Sequence, residues 1–197
     1  MDSVMTLFKT SLNYYPHNKS LMKGNISALD AAPILDHQFE RISTMAFDGQ
    51  ERLWIADSFH SNGSLFRIDT AGNMIEYARK LTPENPSDPV VTSKNHQLLY
   101  GVSFDEEGNP ITTHSASREV IKINTDLAKE VIYQSPKYYF PVGNCMIGSK
   151  LVIMEVGFIP GEGHKGPRLV EMKNNKKDVI YYFNVRNVVY KKIIQVN

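Results

Sequence analysis

The sequence has almost no cysteine, no surplus of charge and no long apolar run. Cys145 is the single cysteine among 197 residues, so no intramolecular disulfide can form, which is compatible with a reducing compartment. Lys and Arg total 22 and Asp and Glu 21, a formal net charge of +1. A chain so nearly neutral has no electrostatic reason to bind nucleic acid or an acidic membrane. No stretch approaches the ~18 apolar residues of a membrane helix, and the start, Met1-Asp2-Ser3-Val4-Met5, makes a poor secretory signal. Together these absences predict a cytoplasmic protein without nucleic-acid or membrane partners. Helical periodicity is scarce as well, because short apolar runs alternate with turn residues.

What is present is a repeat. One copy contains Ala46-Phe47-Asp48, Leu53-Trp54-Ile55-Ala56-Asp57 and Leu65-Phe66-Arg67-Ile68-Asp69-Thr70. The other contains Ser103-Phe104-Asp105, Pro110-Ile111-Thr112-Thr113-His114 and Val120-Ile121-Lys122-Ile123-Asn124-Thr125. Phe47 and Phe104 lie 57 residues apart, and Thr70 and Thr125 lie 55 apart. A unit of this length with several short strands is the mark of a propeller blade. Strands are expected near 42–47, 52–57, 64–69 and 73–79, then near 99–104, 109–114, 118–124 and 129–134. A linker over 80–97, rich in Pro, Asn, Ser and Asp, joins the two copies. A looser third copy has an inner strand near 142–147, a strand at 151–155, a long loop over 157–167, and strands at 168–172 and 179–183. Residues 188–194 read as one more strand pair.

The expected architecture is all-β: a β-propeller-like stack of about three to four blades of antiparallel strands. Residues 1–41 read as an irregular N-terminal segment or partial blade, and 42–197 as the blades. Propellers close with about 4–8 blades. Either the flanks complete a small ring, or the chain is a partial propeller whose open sheet edges invite self-association.

The run Ile42-Ser43-Thr44-Met45-Ala46-Phe47-Asp48, with Leu53-Trp54-Ile55-Ala56-Asp57 and Gly63-Ser64-Leu65-Phe66-Arg67-Ile68-Asp69, resembles a blade of the gluconolactonase and senescence-marker-protein family. It is also similar to NHL-type and strictosidine-synthase-like propellers. The resemblance covers about residues 42–173. It implies a lactonase-like protein that binds a small molecule at the channel mouth, with a divalent cation, calcium or zinc, assisting hydrolysis. The family's metal ligands stand at the starts of inner strands: a Glu, an Asn before Gly, and an Asp before Gly. Here Ser43 and Tyr100 occupy two of those places, and Asn144, in Gly143-Asn144-Cys145, is the residue near a ligand position. The alternative expectation is a non-catalytic propeller used for ligand sensing or protein–protein interaction, a truncated enzyme homologue.

Asp57, His114 and Glu155 end the second strands of the three copies. Polar groups at equivalent blade positions can converge on one rim of a channel, where they would contact a ligand or move protons. His114 and Glu155 are the catalytic candidates there, and Asp57 a ligand contact. The competing reading is that strand ends are polar because they meet turns and solvent. Glu162 and His164, in the glycine-rich stretch 157–167, are further ligand candidates. That stretch is no P-loop, because Gly166-Pro167 follows Lys165 where a Ser or Thr would be needed. Asp48 and Asp105 are expected to hold turns, and Cys145 to be a buried, inert thiol. Trp54, in mid-strand, is expected to pack in the core, and Tyr138-Tyr139-Phe140 and Tyr181-Tyr182-Phe183 to pack between blades.

Overall fold

The computed structural model describes residues 7–10, 21–24, 37–82, 98–159, 163–173 and 176–183. Its architecture is all-β. A two-stranded sheet, β1 (Leu7–Thr10) and β2 (Leu21–Gly24), comes first. Three four-stranded antiparallel sheets follow. Blade one is β3 (Ile42–Phe47), β4 (Leu53–Asp57), β5 (Ser64–Ile68) and β6 (Met74–Ala78). Blade two is β7 (Leu99–Phe104), β8 (Pro110–His114), β9 (Glu119–Ile123) and β10 (Lys129–Gln134). Blade three is β11 (Tyr139–Ile147), β12 (Lys150–Ile159), β13 (Gly163–Lys173) and β14 (Lys176–Tyr182). Within each sheet every strand pairs with the next in sequence, and β7 lies between β3 and β11. This is the blade order of a propeller, with β3, β7 and β11 as inner strands.

Carboxylates set the hairpins. Asp48 Oδ1 accepts from the Gln50 and Arg52 amides, and its Oδ2 accepts from the Trp54 indole at 2.8 Å and Arg52 Nε at 2.6 Å. Burial works to raise the Asp48 pKa, but these hydrogen bonds outweigh it and hold the carboxyl below its ordinary value. Asp105 repeats the turn, accepting from the Glu107 and Asn109 amides and from Asn109 Nδ2. The Phe-Asp repeat therefore marks where each first hairpin turns.

Apolar side chains cover both faces of the second strands. In β4, Leu53 and Ile55 pack with Phe39, Phe66 and Ile68 on one side. Trp54 and Ala56 pack on the other, against Leu99, Val102, Ile121 and Ile123 of blade two. Trp54 also meets Phe104 across the interface, with ring centroids 5.4 Å apart. Blade two meets blade three through Ile111, Val120 and Tyr133 against Leu151, Ile153 and Val170. Each such side chain contributes roughly 1.5–3 kcal/mol when fully buried, so neighbouring blades stabilise one another.

Blade three departs from expectation. The stretch 157–167 is not a long loop. β12 runs on to Ile159 and β13 begins at Gly163, with Gly157 opposite Lys165 and Phe158 opposite His164. Glycine content reads locally as loop, but ladder hydrogen bonds need no side chain and keep these residues in strand. Cys145 and Tyr181 are exposed on the side of blade three that no described blade covers, and Tyr182 is exposed on the outer strand β14. The strand pair expected near 188–194 and most of the 80–97 linker lie outside the described residues.

Gly101 shows how closely inner strands approach. Its φ is +66°, and a Cβ there would stand 2.7 Å from the Asn144 backbone nitrogen. Gly108 also has positive φ, +82°, but nothing lies within 4 Å of a Cβ there. Gly101→Ala is expected to destabilise the protein by about 2–4 kcal/mol, from strain and backbone displacement together. Gly108→Ala is expected to cost about 1 kcal/mol, from φ alone. Urea unfolding midpoints at constant m check the difference.

Candidate functional site

The inner strands β3, β7 and β11 form the channel side of the three blades. The three inner strands read ISTMAF, LYGVSF and YFPVGNCMI. None contains an acid, a base or a histidine. All three share a register irregularity at the same place, between Ile42 and Thr44, Tyr100 and Val102, and Pro141 and Gly143. Bulges re-aim side chains, and these put Ser43, Gly101 and Val142 at equivalent places near the strand starts.

Ser43, Ser103 and Asn144 on this wall are already engaged. The Leu99 amide donates to Ser58 Oγ at 2.9 Å, Ser58 Oγ donates to Ser43 Oγ at 3.0 Å, and Ser43 Oγ donates to the Ala56 carbonyl at 3.2 Å. This chain of three bonds ties blade two to blade one. Asn144 Oδ1 accepts from Ser103 Oγ, and its Nδ2 lies 3.5 Å from the Tyr100 carbonyl. Asn144 thus bridges β11 to β7, and a ligand at its amide would have to displace those contacts.

Asp57, His114 and Glu155 do occupy equivalent positions. Each lies opposite a residue near the start of its inner strand: Ile42, Leu99 and Pro141 respectively. All three are fully buried, and each is held by its own surroundings. Asp57 accepts from the backbone amides of Glu40 (2.6 Å), Arg41 (2.8 Å), Phe59 (3.1 Å) and His60 (3.2 Å). Glu155 accepts from Tyr133 Oη at 2.8 Å and pairs with Arg168 Nε at 2.6 Å. Tyr133 belongs to blade two, so this bond crosses the interface. Burial, followed by the Glu155 charge, pushes the Tyr133 phenol well above its ordinary pKa.

His114 Nδ1 lies 2.6 Å from Ser117 Oγ, which donates to Glu119 Oε2 at 2.8 Å, while Nε2 is buried without a partner. Burial, aided by the nearby Lys129 charge, pushes the His114 pKa down to about 3. An imidazole with that pKa is neutral at pH 7 and a weak base, far from the value that suits proton transfer. Among the described residues, no three His, Cys, Asp or Glu side chains come together as a metal site. The three strand-end groups each have their own partners, and those of Glu155 include Tyr133 of the neighbouring blade. His164 sits in β13 opposite Phe158, in a ladder and not on a loop. Glu162 lies outside the described residues.

Comparison with known proteins agrees with the architecture. No family model matches the chain, and no curated protein matches it in sequence. Solved structures do match in fold. A virginiamycin B lyase from Staphylococcus aureus superposes with TM-score 0.51 at 13% identity, over 85% of this chain and 53% of its own. A chain of the nidogen/laminin complex gives 0.55 at 11%, over 81% and 54%. A luciferin-regenerating enzyme gives 0.52 at 11%, over 88% and 55%. The fold is a β-propeller fold. The chain spans about half the length of these structures.

Tyr133, Arg168 and Ser58 escaped sequence reasoning. Arg168 becomes the partner of Glu155 only once the β12–β13 register puts them opposite each other. Glu155→Ala leaves Arg168 buried and unpaired, and is expected to cost about 3–5 kcal/mol in urea unfolding.

The His114 shift has a sign. Its folded pKa lies below the unfolded value, so as pH falls below about 6.5 the unfolded chain gains a proton that the native state refuses until pH ~3. Stability is expected to fall across that window by up to about 1.4 kcal/mol per pH unit. The His114→Gln variant should show a shallower profile. It will not be flat, because burial, then the neighbouring His60 charge, also lowers the His37 pKa.

Proposed function

We propose that the chain is a non-catalytic propeller module that works by binding, as a ligand sensor or a protein contact. The observation that carries this reading is the neutral channel wall. β3, β7 and β11 offer hydroxyls, one amide, the lone Cys145 thiol and backbone carbonyls, with no carboxylate or imidazole. Calcium takes about 6–8 oxygen ligands, usually including carboxylates, and zinc is held by His, Cys or carboxylate. The residues described on this wall fit neither set. The buried strand-end groups support the same reading, because Asp57 and Glu155 spend their oxygens on holding segments together. A wall of Ser103, Asn144 and backbone carbonyls suits an uncharged polar small molecule or a peptide backbone.

One observation favours the lactonase-like alternative: Asn144 stands near a ligand position of the resembling family and is half-buried. In that reading Asn144 helps hold a calcium or zinc ion, and a small molecule at the channel mouth is hydrolysed with His114 and Glu155 in catalytic roles. A bound ion would there activate water and polarise a carbonyl. Asn144 would first have to give up Ser103.

Metal content after dialysis and the Tm with and without a chelator separate the two. The binding module is expected to retain no stoichiometric calcium, zinc or manganese, and to melt at the same temperature with the chelator present. One tightly held ion per chain, with a chelator-induced drop in Tm that Asn144→Ala abolishes, would establish the hydrolase reading instead.

A further inference from the structure

The two ends of the blade stack differ from its middle. In blades one and two, the side of the second strand that faces onward is covered by the following blade: Trp54 and Ala56 by blade two, Ile111 by blade three. Blade three presents the same side with no described blade upon it. Val152 and Met154 of β12 are the equivalents of Trp54 and Ala56; Val152 is itself buried, so the open part of this side lies around Met154, Tyr181 and Ile147. Across the register Met154 shares its face with Leu169 and Tyr181, and Val152 with Cys145. Met154 is 40% exposed, Tyr181 54% and Ile147, at the end of the inner strand, 61%. Lys150 and Glu171 on this face neutralise each other at 3.0 Å. The opposite end of the stack is apolar too. Met45 lies opposite Ile55 on the outward side of blade one and is 41% exposed, with Ile42 and Met74 half-buried on the same side. Phe39 covers the outer part of that side, which leaves the inner strand accessible.

We infer that two copies of this chain close one ring, the free face of blade three in each docking on the blade-one side around Met45 of the other. The contact continues the two blade interfaces already present by one more step, with the same chemistry of apolar face on apolar face. The three described four-stranded blades of each copy together make six, inside the range of about 4–8 at which propellers close. A two-fold axis makes both contacts identical and leaves no end free, so assembly stops at the dimer. The docking surface is the face and not the outer edge, because β14 begins Lys176-Lys177 and edge lysines oppose strand addition. A net charge of +1 offers little repulsion between copies. The inference stands whether or not the channel takes a metal.

Size-exclusion chromatography with light scattering on the full chain tests it. The expected mass is twice that of the chain and independent of concentration across the micromolar range. Met154→Glu and Met45→Glu should each weaken the dimer at least tenfold while keeping the circular dichroism of the wild type. Mixing the two variants should restore a heterodimer, because one of its two contacts is then unmodified. Met154→Gln and Met45→Gln serve if the Glu variants fail to fold. A monomer at all concentrations overturns the inference, as does a mass that climbs with concentration into open chains. A dimer broken by Met154→Glu and untouched by Met45→Glu overturns the ring, since it would mean that two blade-three faces pair with each other.

Discussion

A second strand that is apolar on both faces obliges every blade to find a neighbour on both sides. β4 shows the constraint directly: Leu53, Trp54, Ile55 and Ala56 are all buried, alternately toward one flank and the other. A lone four-stranded sheet of this composition would leave one of those faces in water. The stack of three blades satisfies the middle fully and the ends partly. The chain's stability, its exposed apolar surface and its prospects of assembly all follow from that.

The polar groups that looked like chemistry are part of the same problem. Burying an ion or an amide is costly unless its partners are in place. Asp57 meets four backbone amides, Glu155 meets Tyr133 and Arg168, and Ser58 and Ser43 complete a relay from blade two to blade one. These are junctions between segments, and two of them cross from blade to blade. They specify how one blade is set against the next, a role for which satisfied buried polar networks are well suited. His114 differs, because its Nε2 stays unpartnered and the depressed pKa records the cost of charging it there.

Most of the blade pattern was legible along the chain. Alternating apolar residues and the Asp48 and Asp105 turns place the strands of blades one and two within about a residue of where they lie, because pleat alternation and turn chemistry are local. Blade three was less legible. Its glycines at 157, 163 and 166 carry no side-chain signal, and the ladder that holds them depends on a register set farther along the hairpin. The equivalence of Asp57, His114 and Glu155 was also readable from spacing. Their burial was not, since whether a strand end meets solvent or a neighbouring blade depends on what packs beside it.

Local pattern was sufficient for the all-β class, the blade repeat and the hairpin carboxylates, because each arises from interactions within a few residues or between adjacent strands. Which side of a blade stays covered, which carboxylate finds a partner 13 or 22 residues away, and whether a cysteine lies inside or outside were decided when the blades stacked. Cys145 makes the point. It has the composition of a core residue, and it is exposed because the described chain places no blade over it.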